Sequence, residues 1–377
     1  MQIYAIMINF AHSKYHKTMA HRIVVGITQG DSNGVGYEVI IKALSDSRML
    51  DLCVPVLYGN SRTLGLYRKM IPETEQISTN VINSAADARG KRINIINCVS
   101  DQLPVEPGQP TEAGAKAAVQ SLEAAVKDLK EGLIDALVTA PINKHTVADL
   151  GFGFPGHTEY LINRFDATEG LMFLCTDNLK IGLVTNHEPL GKVASLIDKD
   201  LLVRKLRLMN DSLRKDFAKD RPKIAVLGLN PHSGDGGSLG RDEIDKIIPA
   251  IEQANAENIL AFGPYSPDGF FASNMQYNFD GVLAMYHDQG LIPFKVLAFD
   301  KGVNFTAGLP IVRTSPDHGT GYDIAGKNMA NPASMISAIY MAIDICRNRM
   351  QYEELSANPL EIKHFESPKK EKTILPE

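Results

Sequence analysis

The chain has 377 residues, 44% of them hydrophobic, with 39 Lys and Arg against 44 Asp and Glu, a net charge of −5. That mildly acidic balance leaves no electrostatic footprint for nucleic acid, and no apolar run nears the ~18 residues of a membrane span. The length suits two domains or one large one.

The first twenty residues, MQIYAIMINFAHSKYHKTMA, hold an apolar run with no basic residue before it and no clear cleavage site. Residues 1–20 are therefore expected to be a flexible tail, with Met19 as an alternative start. Ile23–Ile27 reads as a buried strand and Tyr37–Leu44 as a helix. The loop between them, TQGDSNGVG (28–36), carries neither GxGxxG nor a Lys-Ser/Thr pair. It is either a phosphate loop or a tight turn. Strands are expected at Val54–Tyr58 and Arg92–Val99, with 72–90 irregular and 104–110 a Pro/Gly linker. Thr111–Glu131 has a helical apolar period stopped by Gly132. Ala136–Thr139 is a strand ending in the polar run Ala140–Lys144.

Gly156-His157-Thr158 opens a short helix, where free backbone N–H groups and a hydroxyl offer an anion site or an ordinary Thr cap. Ile181–Asn186, Ile224–Leu227 and Val282–Tyr286 read as strands, the last meeting a loop at His287. Residues 233–240 read as flexible, 242–255 and 332–349 as helices, and 355–377 as a flexible tail. Alternating strands and helices make this an α/β protein. Cys53, Cys98, Cys175 and Cys346 form no CxxC and read as reduced thiols of a cytoplasmic protein.

Three expected strands each end in a histidine: His187, His232 and His287. Ligands of open α/β sheets bind at strand carboxyl ends, and three imidazoles suit Zn²⁺, Co²⁺, Mn²⁺ or Fe²⁺. The densest polar stretch is 281–328, where His287 and Asp288 are followed by Lys295, Asn304 and Arg313. Two cations and an amide suit an anionic substrate, above all a phosphate. Asp317-His318-Gly319-Thr320-Gly321 and Asp323 come next.

The segments GDSNGVGYE (30–38), VTAPINK (138–144), FPGHTEYL (154–161), NPHSGDGG (230–237), YHDQGLIPFK (286–295) and GVNFTAGLPIVRTSPDHGTGYDIAGKN (302–328) carry a resemblance. They resemble the 4-hydroxythreonine-4-phosphate dehydrogenase family of vitamin B6 synthesis. The first loop departs from the family pattern, with Ser32, Asn33 and Tyr37 where Pro, Ala and Pro are usual.

The resemblance implies two α/β domains flanking a cleft, like isocitrate and isopropylmalate dehydrogenases. Residues 21–142 with 293–350 form the cofactor side, and 143–292 the metal, substrate and dimerisation side. It implies His187, His232 and His287 as ligands of one divalent metal (Zn, Mg or Co), and His157, Thr158, Lys295, Asn304 and Arg313 as substrate contacts. Gly319, Thr320, Asp323 and Asn328 fall in the cofactor segment, for NAD with NADP as the alternative. Lys295 and Asp288 are the catalytic candidates, Asp288 as an orienter of His287, and the general base stays unassigned. The implied reaction oxidises 4-phosphooxy-L-threonine at C3 and then decarboxylates it, in a homodimer whose site draws on both subunits. The three histidines then need not come from one chain. Competing readings are a dehydrogenase of 4-phospho-D-threonate or phosphoerythronate, a metal-dependent phosphatase, and a metal-binding protein without catalysis.

Overall fold

The computed structural model describes residues 22–358 apart from 75, 76, 155 and 299. The expected tail 1–20 lies outside the described residues, as does 359–377. The chain forms strands β1 (Ile23–Thr28), β2 (Cys53–Gly59), β3 (Thr79–Ile82), β4 (Ile93–Asn97), β5 (Ala136–Thr139) and β6 (Leu171–Cys175). These are followed by β7 (Lys180–Leu183), β8 (Lys223–Leu227), β9 (Leu260–Tyr265), β10 (Gly281–Ala284), β11 (Val303–Ala307) and β12 (Val312–Pro316). The helices that bear on the site are α1 (Gly36–Leu44), α2 (Glu112–Lys130), α3 (Lys144–Asp149), α4 (His157–Arg164), α5 (Lys199–Lys215), α6 (His287–Ala298) and α7 (Ala333–Ser356).

All twelve strands join one sheet in the order β3-β4-β2-β1-β5-β12-β11-β6-β7-β10-β8-β9. From β3 to β12 the strands run parallel. β11 and β6 each lie antiparallel to both neighbours. From β7 to β9 the strands are again parallel, now opposite to the first group. Parallel strands are covered on both faces, so they read as apolar runs rather than alternating ones; β2 (CVPVLYG) is buried at every position. β10, α6, β11 and β12 carry the chain from the second half of the sheet back to β5.

Helix α2 shows why these segments take their form. Thr111 accepts from Gly114 N at its start, and Ala115, Ala118, Leu122, Ala125, Val126 and Leu129 make its buried stripe. Two expectations fail at element ends. His287 opens a helix rather than a loop. Helix α7, whose buried stripe Met335–Cys346 packs on β12 and β5, runs on to Ser356, past the expected start of the tail. Residues 72–90, expected to be irregular, contain β3, an edge strand that buries only one of its four side chains. β6 and α5 were not anticipated, although the all-buried run LMFLC and the stripe Leu202, Leu206, Met209, Leu213 are both apolar patterns. No disulfide joins the four cysteines, and among the described residues no helix is long and apolar enough to cross a membrane.

Candidate active site

Three neighbouring strands, β7, β10 and β8, point their carboxyl ends the same way. His187, His287 and His232 follow those ends in turn. The structure brings two of them together: the rings of His187 and His287 stand 5.7 Å apart, centroid to centroid. Nδ1 of His287 lies 2.7 Å from Asp288 Oδ1, which orients the ring and leaves Nε2 open. Burial and then the charge of Lys144 lower the proton affinity of His187, favouring the neutral imidazole that a metal needs.

His232 stands apart, near Asp268, whose carboxyl the Ser266 hydroxyl and then the Gly269 N–H hold low. Among the described residues no three His, Cys, Asp or Glu side chains gather as a metal site. His232 belongs to a left-handed run, with φ of 52° at His232, 50° at Ser233 and 43° at Asp235. Such backbone persists only where neighbours enforce it. Here Glu243 does so: its buried carboxylate accepts from Leu229 N (2.8 Å), Asn230 N (2.7 Å) and Asn230 Nδ2 (2.9 Å). The segment 233–240, expected to be flexible, folds as tight turns tied by Ser238 N to Asp235 O and Leu239 N to Gly234 O. The helix expected over 242–255 begins as a π turn, Glu243–Ile247, before the α-helix Ile248–Ala256.

On the other side of His187, Arg313 of β12 is 4% exposed. It donates from Nε (3.1 Å) and Nη2 (2.7 Å) to Thr139 Oγ1 at the end of β5. Burial pulls its pKa down to about 10, against the stabilising charge of Glu159. His157 heads α4, whose cap, Gly156, supplies no side-chain acceptor. Its Nε2 is sealed from solvent without a hydrogen-bond partner. Burial first, then Arg313 and Lys144, hold its pKa well below the usual histidine range. A guanidinium, a helix N-terminus and an unpartnered imidazole together make an anion site. Thr158 follows His157 in the first turn, and Asn304 on β11 leaves a buried Oδ1 unpaired. Lys295 is exposed late in α6, its charge reaching Asp317, whose pKa burial raises.

Sequence reasoning missed Glu159 and Asn186. With Lys144 and His187 they line a cavity of about 680 Å³. A second cavity, about 260 Å³, is lined by Val35, Asp317, His318, Gly319 and Ile324 among others. Gly319 is thus the one predicted cofactor residue on its wall. Thr320 O instead accepts from Val35 N at 2.8 Å, Asp323 is exposed one turn on, and Asn328 is left-handed at φ 58°.

The family model for "Pyridoxal phosphate biosynthetic protein PdxA" matches residues 51–342. The chain belongs to this family. A 4-hydroxythreonine-4-phosphate dehydrogenase of Bacteroides thetaiotaomicron is 48% identical over 92% of this chain and 95% of its own length. That of Sulfurihydrogenibium sp. is 43% identical over 87% of this chain and 99% of its own. Among solved structures, the enzyme of the same description from Klebsiella pneumoniae aligns with a TM-score of 0.76 and 34% identity, covering 87% of this chain and 99% of that one. The PdxA family resemblance and the α/β fold are thereby confirmed, and the chain is an oxidoreductase of the dehydrogenase type.

Proposed function

We propose that this chain oxidises 4-phosphooxy-L-threonine at C3 with NAD, in pyridoxal phosphate biosynthesis. The observation that carries the reading is that the charge of Lys144 reaches both His157, which the enclosed Arg313 also reaches, and His187, whose ring stands 5.7 Å from that of His287. That arrangement suits a phosphate next to a hydroxyl to be activated. The shared name of the relatives points to the same substrate.

The residues present fit a divalent metal. His187 is biased to the neutral form, and Asp288 occupies only one nitrogen of His287. Zinc, magnesium or cobalt, when bound, would act as a Lewis acid that makes the C3 hydroxyl easier to deprotonate. The set lacks a third histidine in one chain, and we assign that role to His232 of a second copy in a homodimer. The helix bearing His287 supports this, since it leaves Ile292 (64% exposed) and Val296 (77%) bare.

The chain's own residues do the rest. Arg313, His157, Thr158, Asn304 and Lys295 hold the phosphate and offset its charge. Asp288 fixes the His287 ring. The cavity at Gly319 would hold the cofactor, which when bound would supply the acceptor for the C3 hydride, while the hydroxyl proton passes to solvent. In the resulting β-keto acid the C1–C2 bond breaks and CO₂ leaves. Its electron pair enters the enolate over C2, C3 and the C3 oxygen, and a solvent proton returns to C2, giving 3-amino-2-oxopropyl phosphate. The same reading takes residues 21–142 with 293–350 as the cofactor lobe and 143–292 as the metal and substrate lobe, and places the enzyme in the cytoplasm.

The test is NADH formation from 4-phosphooxy-L-threonine by the purified protein, with and without a chelator. Turnover that the chelator abolishes and added metal restores is expected. Phosphate release without NADH would replace this reading with a hydrolase.

A further inference from the structure

We propose that Lys144 receives the carboxylate of the substrate, at the end of the cleft away from the buried Arg313. The inference deepens the dehydrogenase reading and rests on it. The 680 Å³ cavity carries one ammonium on its wall, Lys144, beside His187 and Glu159. Arg313 is not on that wall; its guanidinium is enclosed and spends two donors on Thr139. Lys144 has no ion pair or hydrogen bond from its ammonium among the described residues. Glu159 is uncommitted in the same way.

The local fold aims both groups. Lys144 is the first residue of α3, where Asn143 Oδ1 caps the helix by accepting from His145 N (3.0 Å). Gly156 leaves room for both side chains to pass beside its backbone. A Cβ there would stand 3.5 Å from Lys144 Cε and 3.5 Å from Glu159 Oε2. The charge of Lys144 reaches both His157 and His187, and the cavity wall sets it beside His187.

The substrate's two anionic ends differ, and so do the two sites. Either cation can pair with either anion; what separates the two sites is position, since Arg313 is enclosed and Lys144 stands on the open cavity wall. Glu159, on the same wall, discourages a second dianion from binding there and faces the substrate's ammonium. The arrangement also favours turnover. Once CO₂ has left, the product offers Lys144 no anion, so it binds more weakly than the substrate did.

The test compares 4-phosphooxy-L-threonine with 3-amino-2-hydroxypropyl phosphate, which lacks only the carboxylate and is oxidised to the same ketone. In the holoenzyme, Lys144→Met should lower kcat/KM about 100-fold for the carboxylated substrate and less than about 3-fold for the other. Lys144→Arg should keep most of the wild-type preference. Each protein sample serves both assays, so misfolding cannot imitate an unequal loss. Equal losses on both substrates would overturn the assignment and give Lys144 to the phosphate or the fold. A wild-type protein without turnover on either substrate sinks the dehydrogenase reading, and this inference with it.

Discussion

Two polar regions, the first loop and the cleft at Lys144, are set apart by their hydrogen bonds. In the Gly30–Tyr37 loop the polar groups are spent on one another. Asp31 accepts from Asn33 N and from Tyr322 OH (2.7 Å); Tyr37 OH bonds Gln29 and Asn60; Tyr67 OH donates to Ser32 O. In the cleft, Lys144 and Glu159 are uncommitted, and buried atoms of His157, Asn186 and Asn304 lack partners. Unmade hydrogen bonds at buried atoms cost stability, so a fold keeps them where a ligand completes them. The first loop is scaffold that grips the 318–321 segment through Val35 N and Thr320 O. The cleft is the part kept free for chemistry.

The largest effect should come from breaking the metal set. His232→Ala and His287→Ala should each lower turnover about 1,000-fold, the loss of a Lewis acid worth several kcal/mol. If His232 serves the neighbouring subunit, the two inactive proteins should complement each other when co-assembled. A statistical mixture holds half heterodimers, each with one complete site, so activity should return to about one quarter of wild type. No recovery, with heterodimers verified by mass, would put all three histidines back into one chain.

A smaller effect sharpens the anion side. Arg313→Ala should raise KM for the phosphorylated substrate about 100-fold and KM for NAD little, since it strips a buried cation from the phosphate alone. Equal rises in both would make Arg313 a support of the β5–β12 pair through Thr139.

Much of this was legible in the sequence because it lay in local pattern. His187, His232 and His287 each follow an apolar run, and β5 was placed at its observed bounds, Ala136–Thr139. The separation of His232 from its two fellows was not legible, because His232 opens a left-handed run that no local apolar pattern announces. Lys144 and Glu159 stood inside quoted motifs. Nothing local says that residues on different helices share one cavity wall. The role of the first loop was hidden for the same reason: the Asp31–Tyr322 bond spans 291 positions.

The smallest effect tests whether that loop is scaffold after all. Asn33, one of the residues unusual for the family, donates from Nδ2 to Gln109 O (3.0 Å) and Thr111 Oγ1 (2.8 Å) and accepts from Glu106 N (2.8 Å). It thus staples the 104–111 segment and the cap of α2 to the start of the sheet. Asn33→Ala strands these groups, at a cost of about 1–2 kcal/mol. The expected result is a lower Tm with KM for the phosphorylated substrate unchanged and KM for NAD raised at most slightly, through the Val35–Thr320 contact. If Asn33→Ala instead removes NAD binding while Tm holds, the loop contacts the cofactor itself. The division between a spent scaffold and a free cleft would then have to be redrawn.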